Sequence, residues 1–189
     1  MNPKFFTSKI GVFLLGIIVV SLIFTSVSAS TYNGLATKQT ELQAQWAQVE
    51  NQYQRKIDLI PELVKAAKNA TQFESSTLEN LTSLRTQWLN APTQVARVNA
   101  TNAIDQNLIK LTATYENYPD LQSVAVIAGL MDELAGTENR IAVERSRYND
   151  DVRAYNTQVA TFPGNVFSGF FGFQKANYYD PIPGGPAGP

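Results

Sequence analysis

Apolar side chains dominate the N-terminal stretch of the chain and then recur at three- and four-residue steps along most of the remaining residues. The first stretch covers residues 10–30, and no charged residue occurs between Lys9 and Lys38. Because about 20 apolar residues span a bilayer as a helix, residues 10–30 are predicted to form a transmembrane helix. Lys4 and Lys9 precede it, so the positive-inside tendency predicts a cytoplasmic N-terminus and an extracytoplasmic domain.

The same stretch has a second interpretation, which is a cleaved signal peptide. Val27-Ser28-Ala29 fits a small-residue cleavage site, and the apolar core before it is short enough for a signal sequence. Cleavage after Ala29 would release a secreted protein. We favour an uncleaved signal anchor, because the uncharged run continues past Ala29 toward the next helix.

Residues 31–162 carry the three- and four-residue period that is typical of amphipathic helices. The first soluble stripe runs from Leu42 to Val64, and Pro61 within it predicts a kink or break near Asp58–Ile60. Three more helices are predicted, which end at about Trp88, Tyr115 and Thr161. No alternating segment indicates a strand. Long helices joined by short polar breaks predict an all-α fold, an up-and-down antiparallel bundle of about four long helices after the transmembrane helix.

The two ends of the chain differ in composition from this bundle domain. Residues 1–9 form a short N-terminal segment, and residues 181–189 read PIPGGPAGP, which predicts a disordered tail. Between the bundle and the tail lies a Phe/Gly-rich segment, residues 163–180. Its aromatic side chains are expected either to cover one end of the bundle or to rest in the membrane interface. These side chains are Phe167, Phe170, Phe171 and Phe173.

Composition removes several classes of function. The net charge is −1, so no basic field directs the chain to nucleic acid. The chain has no Cys and no His. Disulfides, thiolate nucleophiles, Ser-His-Asp triads and Cys/His zinc sites are therefore excluded. We expect no cofactor, no metal and no enzymatic activity.

The longest predicted helix carries polar residues on the edge of its apolar stripe, between Glu133 and Asn156. They are Glu138, Arg145, Asn149 and Asn156. We interpret them as a structural polar core that pairs with neighbouring helices and fixes their register, since buried polar groups are costly unless satisfied. The alternative is a polar ligand site inside the bundle around Glu138 and Arg145.

Several motifs occur in the same order as in a known family. They are Tyr32-Asn33-Gly34-Leu35, Trp46, the run from Arg55 to Val64, Tyr118-Pro119-Asp120-Leu121, Gly136-Thr137-Glu138-Asn139-Arg140-Ile141, Tyr148-Asn149, Tyr155-Asn156, Phe162-Pro163 and Phe171-Gly172-Phe173. Over residues 32–173 the chain resembles the LemA family. The resemblance implies a membrane-associated helical bundle, and it brings no catalytic residues or reaction. It also implies an N-terminus outside the cell, which is opposite to the orientation that the lysines predict.

One departure from the family pattern affects the choice of function. Residues 124–128 read VAVIA, where the family has a polar run, and this extra apolar surface suits a partner contact. We therefore expect a non-enzymatic interaction or scaffold module, anchored in the membrane, that binds protein partners or copies of itself. The alternative is an extracytoplasmic sensor that binds a ligand.

Overall fold

The computed structural model describes residues 9–68, 70 and 72–179, and this part of the chain contains helices and no strand. In chain order the helices are α1 (Lys9–Ala67), α2 (Ser75–Leu89), α3 (Gln94–Asn117), α4 (Pro119–Gln122), α5 (Ala125–Ala160) and α6 (Gly164–Phe171). The all-α prediction with a long apolar N-terminal helix is confirmed. The predicted tail, residues 181–189, and residues 1–8 of the predicted N-terminal segment lie outside the described residues.

A kink or break is predicted near Asp58–Ile60, and the break is wrong, because α1 continues through Pro61 to Ala67. The kink stays a prediction. Proline removes one helical hydrogen bond and crowds the preceding turn. Pro61 itself lies on the exposed side of α1. On the opposite side Ile60 and Leu63 are buried, and their packing holds the helix together across the proline.

The predicted helix from Leu121 to Thr161 is divided into α4 and α5. Pro119 occupies the first turn of α4, a position that proline favours. The Ser123 hydroxyl donates a hydrogen bond to the Asp120 carbonyl at 2.7 Å, and this local bond ends the short helix. The next helix, α5, begins at Ala125. The buried Leu121 therefore belongs to the short helix α4.

The described chain forms two compact units. The bundle unit comprises residues 45–148 and Tyr179, and the anchor unit comprises residues 9–44 and 149–178. In the bundle unit α1, α2, α3 and α5 bury large aliphatic side chains, which include Val49, Ile57, Ile60, Leu81, Ile104, Leu111 and Ile141. In the anchor unit the buried side chains include Leu35, Val152, Tyr155 and Phe167.

Candidate functional site

A buried lysine lies at the centre of the bundle unit. Lys56 is on the packed face of α1 between Tyr53 and Ile60, and it has no solvent exposure. Its ammonium group forms ion pairs with Asp105 from α3 and Glu138 from α5. Burying a charge is costly unless it is paired and hydrogen-bonded, and these two carboxylates supply the pairing.

Arg145 extends this arrangement toward the C-terminal segment. Its guanidinium donates hydrogen bonds to the Tyr53 hydroxyl, to the Tyr179 hydroxyl at 3.0 Å and to Asp105 Oδ2 at 3.4 Å. It also lies over the Tyr179 ring, 4.5 Å from the centroid, in a cation–π arrangement. The two tyrosine hydroxyls are 2.9 Å apart.

We call this group the polar cluster, and its members are Tyr53, Lys56, Asp105, Glu138, Arg145 and Tyr179. Two cations face two carboxylates, so the charges balance. Burial raises the pKa of the Asp105 carboxyl, although the Lys56 ammonium opposes this effect. Burial lowers the pKa of the Arg145 guanidinium, which nevertheless stays charged at neutral pH because arginine starts so far above it.

The environment of Tyr179 keeps its hydroxyl in the neutral form. Burial raises the pKa of Tyr179 to about 12, an effect larger than the lowering by the nearby Arg145 charge. At neutral pH its hydroxyl is therefore fully protonated. Over the described part of the chain, no group of three or more acidic side chains is placed to hold a metal ion. The ion pairs of the cluster join α1, α3 and α5.

The structure divides the four predicted polar residues between the two units. Glu138 and Arg145 lie in the polar cluster, whereas Asn149 and Asn156 lie in the anchor unit. The Asn156 side chain donates to the Ala176 carbonyl at 2.9 Å and accepts from the Ala176 amide at 2.8 Å. It therefore holds an extended C-terminal segment rather than another helix. Asn149 is half-buried in α5.

Sequence reasoning missed four members of the polar cluster. Lys56 follows Tyr53 by three residues and precedes Ile60 by four, so the helical period of the apolar stripe already predicts that Lys56 is buried. Asp105 has the same signal, since it lies four residues after the buried Thr101 and three before the buried Leu108. Tyr53 was assigned only to the apolar stripe. Tyr179 lies outside any helix, and no periodicity could have placed it.

An open groove of about 710 Å³ lies between α3 and α5 in the bundle unit. Its middle is formed mainly by apolar side chains, which include Leu108, Ile109, Ala113, Met131, Leu134 and Ala135. At one end lie Asp105 and Glu138, which share Lys56. Asp105 is the first lining residue of α3, and Lys56 joins it to Glu138 near the last lining residue of α5, so Glu116 and Asp132 lie toward the other end. We call this feature the α3–α5 groove.

The C-terminal phenylalanines pack within the anchor unit. Phe167 contacts Phe24 of α1, with ring centroids 5.6 Å apart. Phe171 and Phe173 both contact Tyr32, at 5.1 and 5.6 Å. Phe170 instead points outward and is 84% exposed.

The N-terminal half of α1 has the length and composition of a membrane span. An 18-residue window within Gly11–Ala67 has a mean hydropathy of 2.5, and none of that window is buried inside the protein. Its large apolar side chains are exposed from Val12 through Val27. A helix that is apolar all round and uncovered by protein fits a lipid environment.

Comparison with known proteins gives a consistent result. The family model described as LemA family matches residues 45–184. The magnetosome proteins MamQ 1 and MamQ 2 of Paramagnetospirillum magneticum are each 27% identical over 199 aligned residues, which cover 91% of this chain and 73% of the relative. Protein LemA of Metamycoplasma hominis is 24% identical over 169 residues, covering 89% of this chain and 75% of its own. With a family match over most of its length and an exposed apolar N-terminal helix, the chain belongs to the LemA family and is a membrane-associated helical protein.

Proposed function

We propose that this protein is a non-enzymatic, membrane-anchored interaction module whose α3–α5 groove binds a basic amphipathic helix of a protein partner. The observation that carries the proposal is the form of the groove, which has an apolar middle and acidic side chains toward both ends. Helix-in-groove recognition uses this combination of an apolar face and flanking charges.

The dimensions of the groove suit a short helical segment. Its α3 side runs from Asp105 to Glu116, which is about 16 Å at 1.5 Å per residue. That length matches about three turns of a partner helix. Ile109 is 68% exposed at the middle of the groove, so its side chain is available for contact. A partner would place apolar residues at three- and four-residue steps against it.

Charge complementarity defines the chemistry of the partner. All charged residues that line the groove are acidic. Glu116 and Asp132 are exposed, and neither forms an ion pair within the described residues. Glu138 binds Lys56 through Oε1, but its side chain is still 43% exposed. Lysines or arginines two to three turns apart on the partner would meet these acids, which favours specificity and fast association.

The polar cluster supports a non-enzymatic role. Its cations and carboxylates are already paired with one another, and its two tyrosine hydroxyls accept hydrogen bonds from Arg145 and share one with each other. A catalytic acid or base needs a group that can exchange protons with a substrate in a cleft. These groups instead hold helices together.

Peptide titration tests the proposed function. The full chain in nanodiscs of zwitterionic lipid is titrated with a fluorescent three-turn helical peptide of leucine, alanine and lysine, and with the same peptide carrying glutamate for lysine. We expect the lysine peptide to bind at least about tenfold more tightly than the glutamate peptide, because only its charges complement the groove. Equal binding of the two peptides would overturn the proposal.

Matched variants locate the binding. The double variant Glu116→Lys with Asp132→Lys should weaken binding of the lysine peptide by about tenfold or more, since each change reverses a charge beside the groove. Glu79→Lys is the control, because Glu79 is an exposed acid on α2 away from the groove. Unchanged binding by the double variant would also overturn the proposal. Empty nanodiscs measure binding of the peptide to lipid.

The orientation of the anchored domain is a further part of the proposal. Lys4 and Lys9 favour a cytoplasmic N-terminus and an extracytoplasmic bundle. Protease digestion of intact and permeabilised cells, followed by N-terminal sequencing, tests this orientation and the cleavage alternative at Ala29 together. If the bundle is protected from protease in intact cells, the orientation is the opposite of the one proposed. If the N-terminus of the isolated protein is Ser30, the segment is cleaved and the protein is secreted.

A further inference from the structure

Helix α6 presents an apolar face that the anchor unit leaves uncovered. Phe162, just before α6, is 81% exposed, and within α6 Val166 and Phe170 are 60% and 84% exposed. Val166 and Phe170 are four residues apart, so they lie on one side of α6, and Phe162 belongs to the turn that precedes the helix. Phe167, beside this face, is only 8% exposed. Large apolar side chains grouped in this way mark a contact surface.

The neighbours of α6 indicate what covers this face. Phe167 packs on Phe24, which belongs to the apolar part of α1 that fits a membrane span. Phe24 is six residues before residue 30, where the predicted span ends, so this contact lies about 9 Å inside that end. Interfacial helices bury their apolar face about 5–10 Å into the boundary between headgroups and acyl chains. The uncovered face is therefore continuous with the lipid-facing surface of α1.

The residues around α6 also fit a position at the membrane interface. No charged residue occurs between Arg153 and Lys175, just as none occurs between Lys9 and Lys38. Gly34 lies close to α5, and a Cβ atom there would come within 2.5 Å of the Gln158 side-chain nitrogen. The uncharged parts of α1 and α5 therefore run side by side within the anchor unit. Tyr32 contacts Phe171 and is half-exposed, as aromatic residues at a membrane interface commonly are.

We propose that α6 is a second membrane contact, an interfacial helix that inserts Phe162, Val166 and Phe170 into the lipid beside the span of α1. The occupant of this face is the bilayer itself. The inference does not depend on the α3–α5 groove, which lies in the other unit. It gives Phe170 the membrane-interface role considered from the sequence, while Phe167 packs on the apolar part of α1.

Depth-dependent quenching tests this proposal. The chain has no Cys, so Phe170→Cys provides a single site for an environment-sensitive fluorophore on the full-length protein. In phosphatidylcholine vesicles we expect nitroxide-labelled lipid to quench this fluorophore strongly, with the label near the headgroup more effective than the label near the chain end. Aqueous iodide should quench it weakly. Val20→Cys, within the apolar part of α1, is the reference for lipid exposure.

Gln43→Cys is the water-exposed control, because Gln43 is an exposed residue of α1 in the anchor unit. If Phe170→Cys responds to iodide as strongly as Gln43→Cys, the face is in water and the proposal is overturned. If neither lipid nitroxide nor iodide quenches it, the face is covered by protein, which also overturns the proposal. Phe170 is exposed, so its replacement leaves the packed contacts of the anchor unit in place.

Discussion

The two units of the chain place their polar and apolar groups in opposite ways. The bundle unit buries Lys56 completely and pairs it with Asp105 and Glu138, and Asp105 pairs with Arg145 as well. The anchor unit exposes large apolar side chains from Val12 to Val27 and again at Phe170. In water the first arrangement needs full pairing and the second would favour aggregation. The contrast shows that the bundle unit pairs its buried charges across α1, α3 and α5, whereas the anchor unit leaves an apolar surface exposed that fits a lipid environment.

The largest expected effect comes from removing the buried cation. Lys56→Met removes the ion-pair partner of Glu138 and leaves Asp105 with only its 3.4 Å ion pair to Arg145. Breaking a buried ion pair from one side typically costs about 3–5 kcal/mol, so we expect a loss of unfolding free energy in that range. Urea denaturation of the full chain in detergent, followed by circular dichroism, measures it.

Arg55→Met is the matched control for this substitution. Arg55 is the adjacent residue on α1, and its ion pair with Glu133 at 2.9 Å is about half exposed. Exposed ion pairs contribute about 0–1 kcal/mol, so this variant should unfold almost like the parent protein. Equal losses for the two variants would show that the burial of Lys56 has no special importance.

The next largest loss of stability is expected for Arg145, where the structural interpretation and the ligand-site interpretation predict different results. Arg145→Met removes the hydrogen-bond donor to Tyr53, Tyr179 and Asp105. Hydrogen bonds to charged groups contribute about 1.5–3 kcal/mol, and we expect a loss of unfolding free energy of that size. If the variant keeps full stability, the structural interpretation fails and the ligand-site alternative gains support.

A pH titration gives a smaller effect with a defined sign. Burial raises the pKa of Tyr179 from its ordinary value of 10.0 to about 12, so the folded state holds its proton more strongly than the unfolded state. The stabilisation that comes from the protonated Tyr179 hydroxyl is complete below about pH 10 and is lost as the pH rises through about 12. Its upper limit is about 2–3 kcal/mol. The unfolding free energy should therefore fall over this interval.

Tyr179→Phe tests the assignment of that pH dependence. The variant should show a shallower fall between about pH 10 and 12, although burial also raises the pKa of Tyr148 and Tyr155, which contribute in the same direction. An unchanged slope would exclude Tyr179 as a source of the effect.

The smallest and most local effect is expected in the anchor unit. Asn156→Ala removes two hydrogen bonds to Ala176, each worth about 0.5–1.5 kcal/mol. We expect faster amide hydrogen exchange in residues 173–178, with little change in the bundle unit. Exchange measured by mass spectrometry on the full chain separates the two regions. Uniformly faster exchange would contradict a local role.

The hydrophobic pattern predicted the all-α class and the apolar N-terminal helix, because both depend on local periodicity and length. The break that it allowed at Pro61 does not occur, because burial of Ile60 and Leu63 outweighs the cost of a proline on the exposed side. It identified Glu138 and Arg145 as polar residues on a packed stripe. The pattern could not predict that Glu138 and Arg145 lie beside Asp105 and Tyr179, since only tertiary packing brings these distant parts of the chain together.

The α3–α5 groove could not be predicted from the sequence, because it too depends on tertiary packing. Leu108 and Leu134 were visible as stripe residues of separate helices. The open space between them, and the acids toward both ends, depend on how α3 and α5 pack. By contrast, residues 124–128 were expected from composition to offer a partner surface, and that expectation stays a prediction.

Site-specific photo-crosslinking in cells is the most direct test of the proposed interaction role. A photoreactive benzoylphenylalanine replaces Ile109 in the middle of the groove, and another replaces Gln48 on an exposed part of α1 as the control. We predict that only the Ile109 position forms an adduct with a protein, and that mass spectrometry maps the adduct to a basic amphipathic helical segment. An adduct with a second copy of this chain, an adduct with an acidic segment, or the same adducts at both positions would contradict the proposed role of the groove.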